Sequence, residues 1–295
     1  MSRLHADLVL LFAAAVWGVA FVFQKSAMDH IGPLTFVAAR SMLAALALAP
    51  LAVREHARSD VSLRPGFWLI AFGGGAAFFI AAVLQQAGIT TATVTNTGFL
   101  TALYVVITPF IVWGWSGKAP SPPVWPAVAF SALGTCLLGG GSLGAFSAGD
   151  ALVAASAFFW ALHVVITGRA SAYARPIGFT ALQFAWVAAF AVLGTMLLET
   201  VSIGDLQGAA IDIAYVGLLS SALTFTLLTM AMQHTPPAEA AIIVSTETVF
   251  AALAAYLLLG ERLAPNGWAG AALILIATLL VQLATTLGVR TKGPA

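Results

Sequence analysis

Apolar residues run through this chain in stretches of about twenty, separated by short polar breaks. The breaks read "DHIGP", "REHARSDVSLRPG", "GKAPSPP", "GRASAYARP", "GDLQG", "QHTPP" and "GERLAPNG", each carrying a turn or charge signal. About 20 apolar residues make a helix long enough to cross the hydrocarbon core of a bilayer. The pattern predicts ten spanning helices, near 6–25, 34–53, 67–86, 92–115, 123–141, 150–168, 177–198, 209–232, 238–259 and 267–288. Most connections are short, so sequential helices are expected to be antiparallel neighbours. The fold class is an all-α integral membrane protein. The first run has Arg3 ahead of it and small residues at Ala13, Ala14 and Ala15, as a cleaved leader would. Its apolar stretch continues through Phe23 and its pattern recurs later, so it reads as a span.

That recurrence has a fixed offset of 143 residues. Asp7 then meets Asp150, Trp17 meets Trp160, Val22 meets Val165, Pro33 meets Pro176 and Phe36 meets Phe179. Beyond the second span the register drifts and the halves match only loosely. Five spans per half give repeats at 5–143 and 144–290. An odd number of spans makes the second half enter the membrane from the opposite side, an inverted repeat. Such repeats recur in secondary transporters, with the substrate near the midplane between the halves.

One stretch, "TTATVTNTGF" at 90–99, is unusually rich in hydroxyls for a membrane segment. A lone strand would leave its backbone unpaired in lipid, so the segment is helical. On a helix, Thr93, Asn96, Thr97, Thr101, Tyr104 and Thr108 form one polar stripe. At 1.5 Å per residue it runs about 22 Å, much of the bilayer thickness. One or two such hydroxyls would merely bond back to their own helix; six polar positions, with Asn and Tyr among them, fit the wall of a water-accessible cavity. Pro109 follows the stripe and frees a carbonyl in the preceding turn. Other spans offer matching faces: Trp17, Phe21 and Gln24 in the first; Gly75, Phe78, Phe79 and Gln86 in the third; Trp160, His163 and Thr167 in the sixth. The eighth carries Ser220, Ser221, Thr224, Thr226 and Thr229, and the ninth Ser245, Thr246 and Glu247. Trp17 and Trp160 each lie ten residues past an aspartate, about 15 Å in. Aromatics flanked by amides and hydroxyls suit an uncharged or zwitterionic, partly apolar solute. Trp113, Trp115, Trp125 and Trp268 read as interfacial belt residues.

Composition agrees: 61% of residues are hydrophobic and 8% charged, with a mean hydropathy of +0.99. A net charge of +1 gives no electrostatic case for nucleic acid. With both termini cytoplasmic, the inner side collects Arg3, Arg54, Arg58, Arg64, Lys118, Arg169, Arg175, Arg290 and Lys292, and the outer side only Lys25 and Arg262. Cys136 stands alone, and no Cys or His cluster has metal-ligand spacing. Three ionisable groups fall at depth. Glu247 is a functional candidate by default, or a strut held by Ser245 or Thr246. Arg40, seven residues past Pro33, is expected to snorkel outward. His163 reads as a hydrogen-bonded packing residue, since no carboxylate neighbours it in sequence.

The runs "AAAVWGVAFVFQK", "PLTFVAAR", "TTATVTNTGFLTALYVVITPF", "STETVFAALAAYLLLGERL" and "NGWAGAALILIATLL" resemble the drug/metabolite transporter superfamily, of the ten-helix EamA type, over essentially the whole chain. The resemblance implies two inverted five-helix repeats around a cavity lined by spans 1, 3, 4, 6, 8 and 9, with spans 2, 5, 7 and 10 peripheral. Thr248 stands where many members have proline, which tells against a break in the ninth span. Together, stripes and resemblance predict a multi-pass transporter of the inner cell membrane. Its expected task is export of apolar or aromatic amino acids by alternating access, as in YddG-like exporters. The expected substrate-binding residues are Trp17, Phe21, Gln24, Phe78, Phe79, Asn96, Thr97, Thr101, Tyr104, Trp160, His163, Ser221, Thr224 and Glu247. No cofactor is called for. The partners are a small-molecule solute, amino acids first, and the lipid bilayer. Monomer and homodimer both stay open, because Gly267, Gly270 and Ala271 can pack inside the fold or against a second copy. The competing class is a membrane-embedded enzyme acting on a lipid or small amphiphile, but no HExxH or paired acids at helical spacing accompany it.

Overall fold

The computed structural model describes residues 1–59, 65–117, 119–138, 147–262 and 265–286. Arg64, Lys118, Arg290, Lys292 and the junction between 5–143 and 144–290 lie outside the described residues. Among those residues every regular element is helical. Eight helical stretches are long and apolar enough to cross a membrane, and Val124–Leu137 and Pro265–Leu280 are shorter apolar helices. Leucines and other large apolar side chains such as Leu46, Leu69, Met196 and Leu258 lie exposed on the outside. The interior is dominated by alanine and a few aromatics. That distribution suits lipid, where helices associate through close packing of small residues.

The long helices α1 (Arg3–Ala27), α2 (Pro33–Ala57) and α3 (Phe67–Ile89) are followed by a broken pair, α4 (Val94–Thr101) and α5 (Tyr104–Ser116), then α6 (Val124–Leu138). The second set is α7 (Ala148–Ala170), α8 (Pro176–Leu198), a short α9 (Ile203–Gly208), and α10 (Ala210–Ala214) continuing through a π-helical stretch, Tyr215–Leu223, into α11 (Thr224–Ala231). The broken pair α12 (Pro237–Val244) and α13 (Glu247–Leu259) and then α14 (Pro265–Thr286) complete it. The loss of register expected beyond the second span does not occur in the helices. Pro33 and Pro176, Phe67 and Ala210, Val94 and Pro237, and Tyr104 and Glu247 all begin helices 143 residues apart. Both broken pairs end on a glycine with positive φ, Gly117 and Gly260, again 143 apart.

The break between α4 and α5 splits what reads in sequence as one helix. Val105 N donates to Ala102 O at 3.0 Å and Val106 N to Leu103 O at 3.1 Å, a tightened turn just ahead of Pro109. Pro109 offers no N–H to Val105 and its ring crowds that carbonyl. The ninth span breaks at the matching place without a proline. There Ser245, Thr246 and Thr248 each donate a hydroxyl to the carbonyl three residues back, at 2.7, 2.8 and 2.9 Å. Hydroxyls competing for backbone acceptors loosen a helix in this way. The wide turn in Tyr215–Leu223 lies just ahead of three further back-bonding threonines, Thr224, Thr226 and Thr229.

Two glutamates tie α2 and α8 side by side. Glu55, near the end of α2, accepts from Ile177 N at 3.1 Å and Gly178 N at 2.7 Å, at the start of α8. Glu199, just past α8, accepts from Leu34 N at 3.0 Å, Thr35 N at 2.8 Å and Thr35 Oγ1 at 2.6 Å, at the start of α2. Each helix thus ends where the other begins, and each free N-terminus is met by an anion. Glu261 does the same for α4 through Thr95 Oγ1 at 2.6 Å. Gly267, Gly270 and Ala271 are buried within the chain itself. A Cβ on Gly134 would lie 2.6 Å from Gly270 O, so α6 and α14 are in backbone contact.

Candidate functional site

The two sets of helices enclose a central cavity of about 60 Å³, room for roughly four waters at the ~10–15 Å³ each requires. Its aromatic wall is a row of three rings. Trp17 of α1 sits 4.7 Å from Phe225 of α11. Trp160 of α7 lies near-parallel to Phe225, at 6.3 Å. Both indole N–H groups are engaged: Trp17 Nε1 donates to Ser220 O at 2.8 Å, and Trp160 Nε1 to Gln85 Oε1 at 2.6 Å. These bonds fix the ring planes, and the wide turn presents the Ser220 carbonyl that Trp17 uses. Phe78 backs the row, fully buried, 5.0 Å from Trp160 and 4.9 Å from Phe225.

An amide cluster closes one side. Gln85 Nε2 donates to Gln24 Oε1 at 3.2 Å, and Gln86 Nε2 to Gln24 O at 2.8 Å. His163 Nε2 meets Gln183 Oε1 at 2.9 Å and Thr167 Oγ1 at 3.3 Å, so the ring is held by neutral partners. Opposite, the two helix breaks face the cavity. Tyr104 begins α5 and Glu247 begins α13, and the phenol and the carboxyl stand against each other. Ser245 and Thr246 spend their hydroxyls on Ile242 O and Ile243 O, so neither holds the Glu247 carboxyl as a strut would require.

Of the fourteen expected substrate-binding residues, Trp17, Phe21, Gln24, Thr101, Tyr104, Trp160, His163 and Glu247 line the cavity, and Ser220 of the eighth-span stripe joins them. The other six do not. Phe78 stands behind the aromatic row, and Phe79 turns to Phe190 on α8, at 5.5 Å. Thr97 bonds back to Thr93 O at 2.8 Å, Thr224 to Ser220 O at 2.6 Å, and the Ser221 hydroxyl is buried outside the cavity wall. The polar stripe of the fourth span is therefore not one continuous wall: the break after Thr101 leaves only Thr101 and Tyr104 facing in.

Arg40 corrects an expectation. It does not snorkel; it is 4% exposed and lines the cavity from α2, a helix expected to be peripheral. A stem bent inward puts its guanidinium 5.7 Å from the Phe36 ring and 5.6 Å from Phe78. Phe225 and Gln85 were also missed. Phe225 lies one turn beyond Ser221, and Gln85 two turns beyond Phe78, on faces already marked in the sequence.

Polar contacts pin both ends of the bundle around the cavity. At one end Arg3 bonds Asp7 at 2.9 Å and Glu239 at 2.5 Å, and Thr235 Oγ1 donates to Asp7 at 2.9 Å. At the other, Asn96 Nδ2 donates to Asp150 Oδ1 at 3.4 Å, and Lys25 Nζ to the carbonyls of Ile89, Thr90 and Ala92 at 2.8, 3.0 and 3.2 Å. Asn96 thus belongs to this end contact. Asp7 and Asp150, and likewise Asn96 and Glu239, are related by the 143-residue offset, so the two end contacts are built from equivalent positions.

Known proteins with this architecture were found by sequence and by fold. A relative from Archaeoglobus fulgidus (strain ATCC 49558 / DSM 4304 / JCM 9628 / NBRC 100126 / VC-16), described as an uncharacterized transporter, is 30% identical over 289 residues, covering 96% of this chain and 87% of its own. A solved crystal structure of a protein superposes with a TM-score of 0.77 over 97% of this chain and 100% of its own; at 17% identity the likeness concerns the fold alone. The model of the EamA-like transporter family matches twice, at residues 4–140 and 147–283. The chain belongs to the EamA-like transporter family, within the drug/metabolite transporter superfamily, and is a multi-pass membrane transporter.

Proposed function

We propose that this protein is a secondary transporter of apolar or aromatic amino acids, exporting them by alternating access through the central cavity. The observation that carries the reading is the Trp17–Phe225–Trp160 row beside polar groups at a pair of helix breaks. Aromatic walls give broad contact to an apolar side chain without demanding one shape. Helix breaks at depth leave backbone and side-chain polar groups for the head of a zwitterion. In this reading the chain makes ten crossings as two inverted repeats, 5–143 and 144–290, with both termini in the cytoplasm of a cell whose inner membrane it occupies. The reciprocal Glu55 and Glu199 caps and the constant helix offset support a two-fold relation between the halves. The cavity is too small for a bound phenylalanine, so the end contacts must part in turn: Arg3–Asp7–Glu239 toward one face, Asn96–Asp150 with Lys25 toward the other. The eight cavity-lining candidates form the binding surface, while Asn96 acts at an end contact.

The test is counterflow in proteoliposomes loaded with a panel of amino acids, with and without an imposed pH gradient. Saturable exchange of leucine, phenylalanine and tryptophan above that of charged amino acids supports the reading. A panel moved without preference for apolar side chains would refute it.

A further inference from the structure

Arg40 is the feature that the aromatic pocket does not account for. Its guanidinium is cationic at any physiological pH, and it is 4% exposed inside a bundle that faces lipid. Among the described residues the ion pairs are those of Arg3, and Arg40 Nε is buried without a hydrogen-bond partner. The Phe36 and Phe78 rings offer cation–π contacts. These offset only part of the cost of burying an unpaired cation. The side chain packs on those two buried rings and is at the same time part of the cavity wall. A buried guanidinium without an anionic partner, on the wall of a cavity that must widen to take a solute, is a socket for an oxyanion.

We infer that Arg40 binds the carboxylate of the transported solute, making a monocarboxylate the chemical class this site accepts. The inference rests on the transport reading above and narrows it. Among the described residues Arg40 is the one arginine on the cavity wall, no lysine joins it, and the Glu247 carboxyl shares the space. A doubly charged phosphate would be under-neutralised there, whereas one carboxylate matches one guanidinium through two parallel hydrogen bonds. The aromatic row then receives the apolar part of the solute. Tyr104 and Glu247 stand where an ammonium group would find acceptors. The equivalent position in the second half of the chain is Gln183, which binds His163 at 2.9 Å and carries no charge. The cavity is therefore asymmetric in charge despite its repeat, as expected if one end of the solute is anionic.

The experiment compares L-phenylalanine, phenylethylamine, phenylpropionate and phenyl phosphate in proteoliposome counterflow, with binding read in parallel from intrinsic tryptophan fluorescence. The parent and the variants Arg40→Gln, Arg40→Lys, Glu247→Gln and Arg40→Gln/Glu247→Gln are compared at matched abundance and monodispersity. Glutamine already occupies the equivalent helix position, so Arg40→Gln is compatible with the backbone. The parent should favour both carboxylates over phenylethylamine by tenfold or more. Arg40→Gln should lose about thirtyfold or more of carboxylate affinity and with it that preference, with Arg40→Lys in between. Retained carboxylate preference in Arg40→Gln, or preference for the phosphate in the parent, overturns the inference. Restored phenylalanine transport in the double variant also overturns it, because Arg40 would then only balance Glu247. Arg40-dependent movement of phenylpropionate without phenylalanine would sustain the inference and refute the amino-acid reading. A panel neither moved nor bound overturns both.

Discussion

Gly18 marks the tightest crossing at the site, and adding one methyl there tests the geometry around Glu247. A Cβ on Gly18 would sit 2.5 Å from Phe250 Cβ, 2.7 Å from Ala251 N and 2.7 Å from Glu247 O. Ordinary contact begins near 3.4 Å, so α1 and α13 must separate by about 0.9 Å in Gly18→Ala. Two of the three obstructing atoms are backbone, which cannot rotate away. Overpacking of this kind costs about 1–3 kcal/mol. At about 2–4 °C per kcal/mol for large chains, the melting temperature should fall by roughly 2–12 °C. The displaced helix begins with Glu247, so solute affinity should fall as well. Gly114→Ala is the control, since nothing lies within 4 Å of a Cβ there, and losing a helical glycine is neutral or stabilising by up to about 1 kcal/mol. The assay is thermal unfolding by size-exclusion chromatography in detergent, paired with counterflow. A Gly18→Ala protein as stable and as active as Gly114→Ala would refute the close crossing of α1 and α13.

Two further outcomes follow from the topology and the site. In a Cys136→Ala background, cysteine at Arg58 should be labelled only from the cytoplasmic face and cysteine at Gly204 only from the opposite face; labelling of both from one side would contradict the inverted repeat. If Glu247 couples transport to protons, Glu247→Gln should keep downhill counterflow and lose accumulation driven by a pH gradient. Equal gradient response in parent and variant would remove Glu247 from coupling.

Much of this molecule is legible from its sequence because membrane helices announce themselves by length and hydropathy. The offset is visible in the first two spans, where Asp7, Trp17, Pro33 and Phe36 have counterparts of the same type. It is invisible in the next two, since Tyr104 aligns with Glu247 and Asn96 with Glu239, although the helices keep the same register. Backbone geometry has outlasted side-chain identity there. The break in the ninth span escaped because proline was the expected cause, whereas back-bonding from Ser245, Thr246 and Thr248 produces it. The charges misled in another way. Counting lysines and arginines addresses orientation, but it says nothing of Glu55 and Glu199, whose donors are backbone N–H groups far along the chain. Arg40 was misread because depth alone cannot tell whether a long side chain turns outward or inward. Only the packing of α2 against its neighbours decides that.

The central claim is that solute crosses through the cavity bounded by the Trp17–Phe225–Trp160 row. Its most direct test is counterflow of labelled L-phenylalanine into proteoliposomes carrying the parent or the Trp17→Ala/Trp160→Ala double variant, at equal folded abundance. The account predicts saturable uptake by the parent, well above protein-free liposomes, and uptake reduced about fivefold or more in the double variant, since two aromatic contacts of about 0.5–1.5 kcal/mol each are lost from the cavity wall. Parent-level uptake by the folded double variant would contradict it.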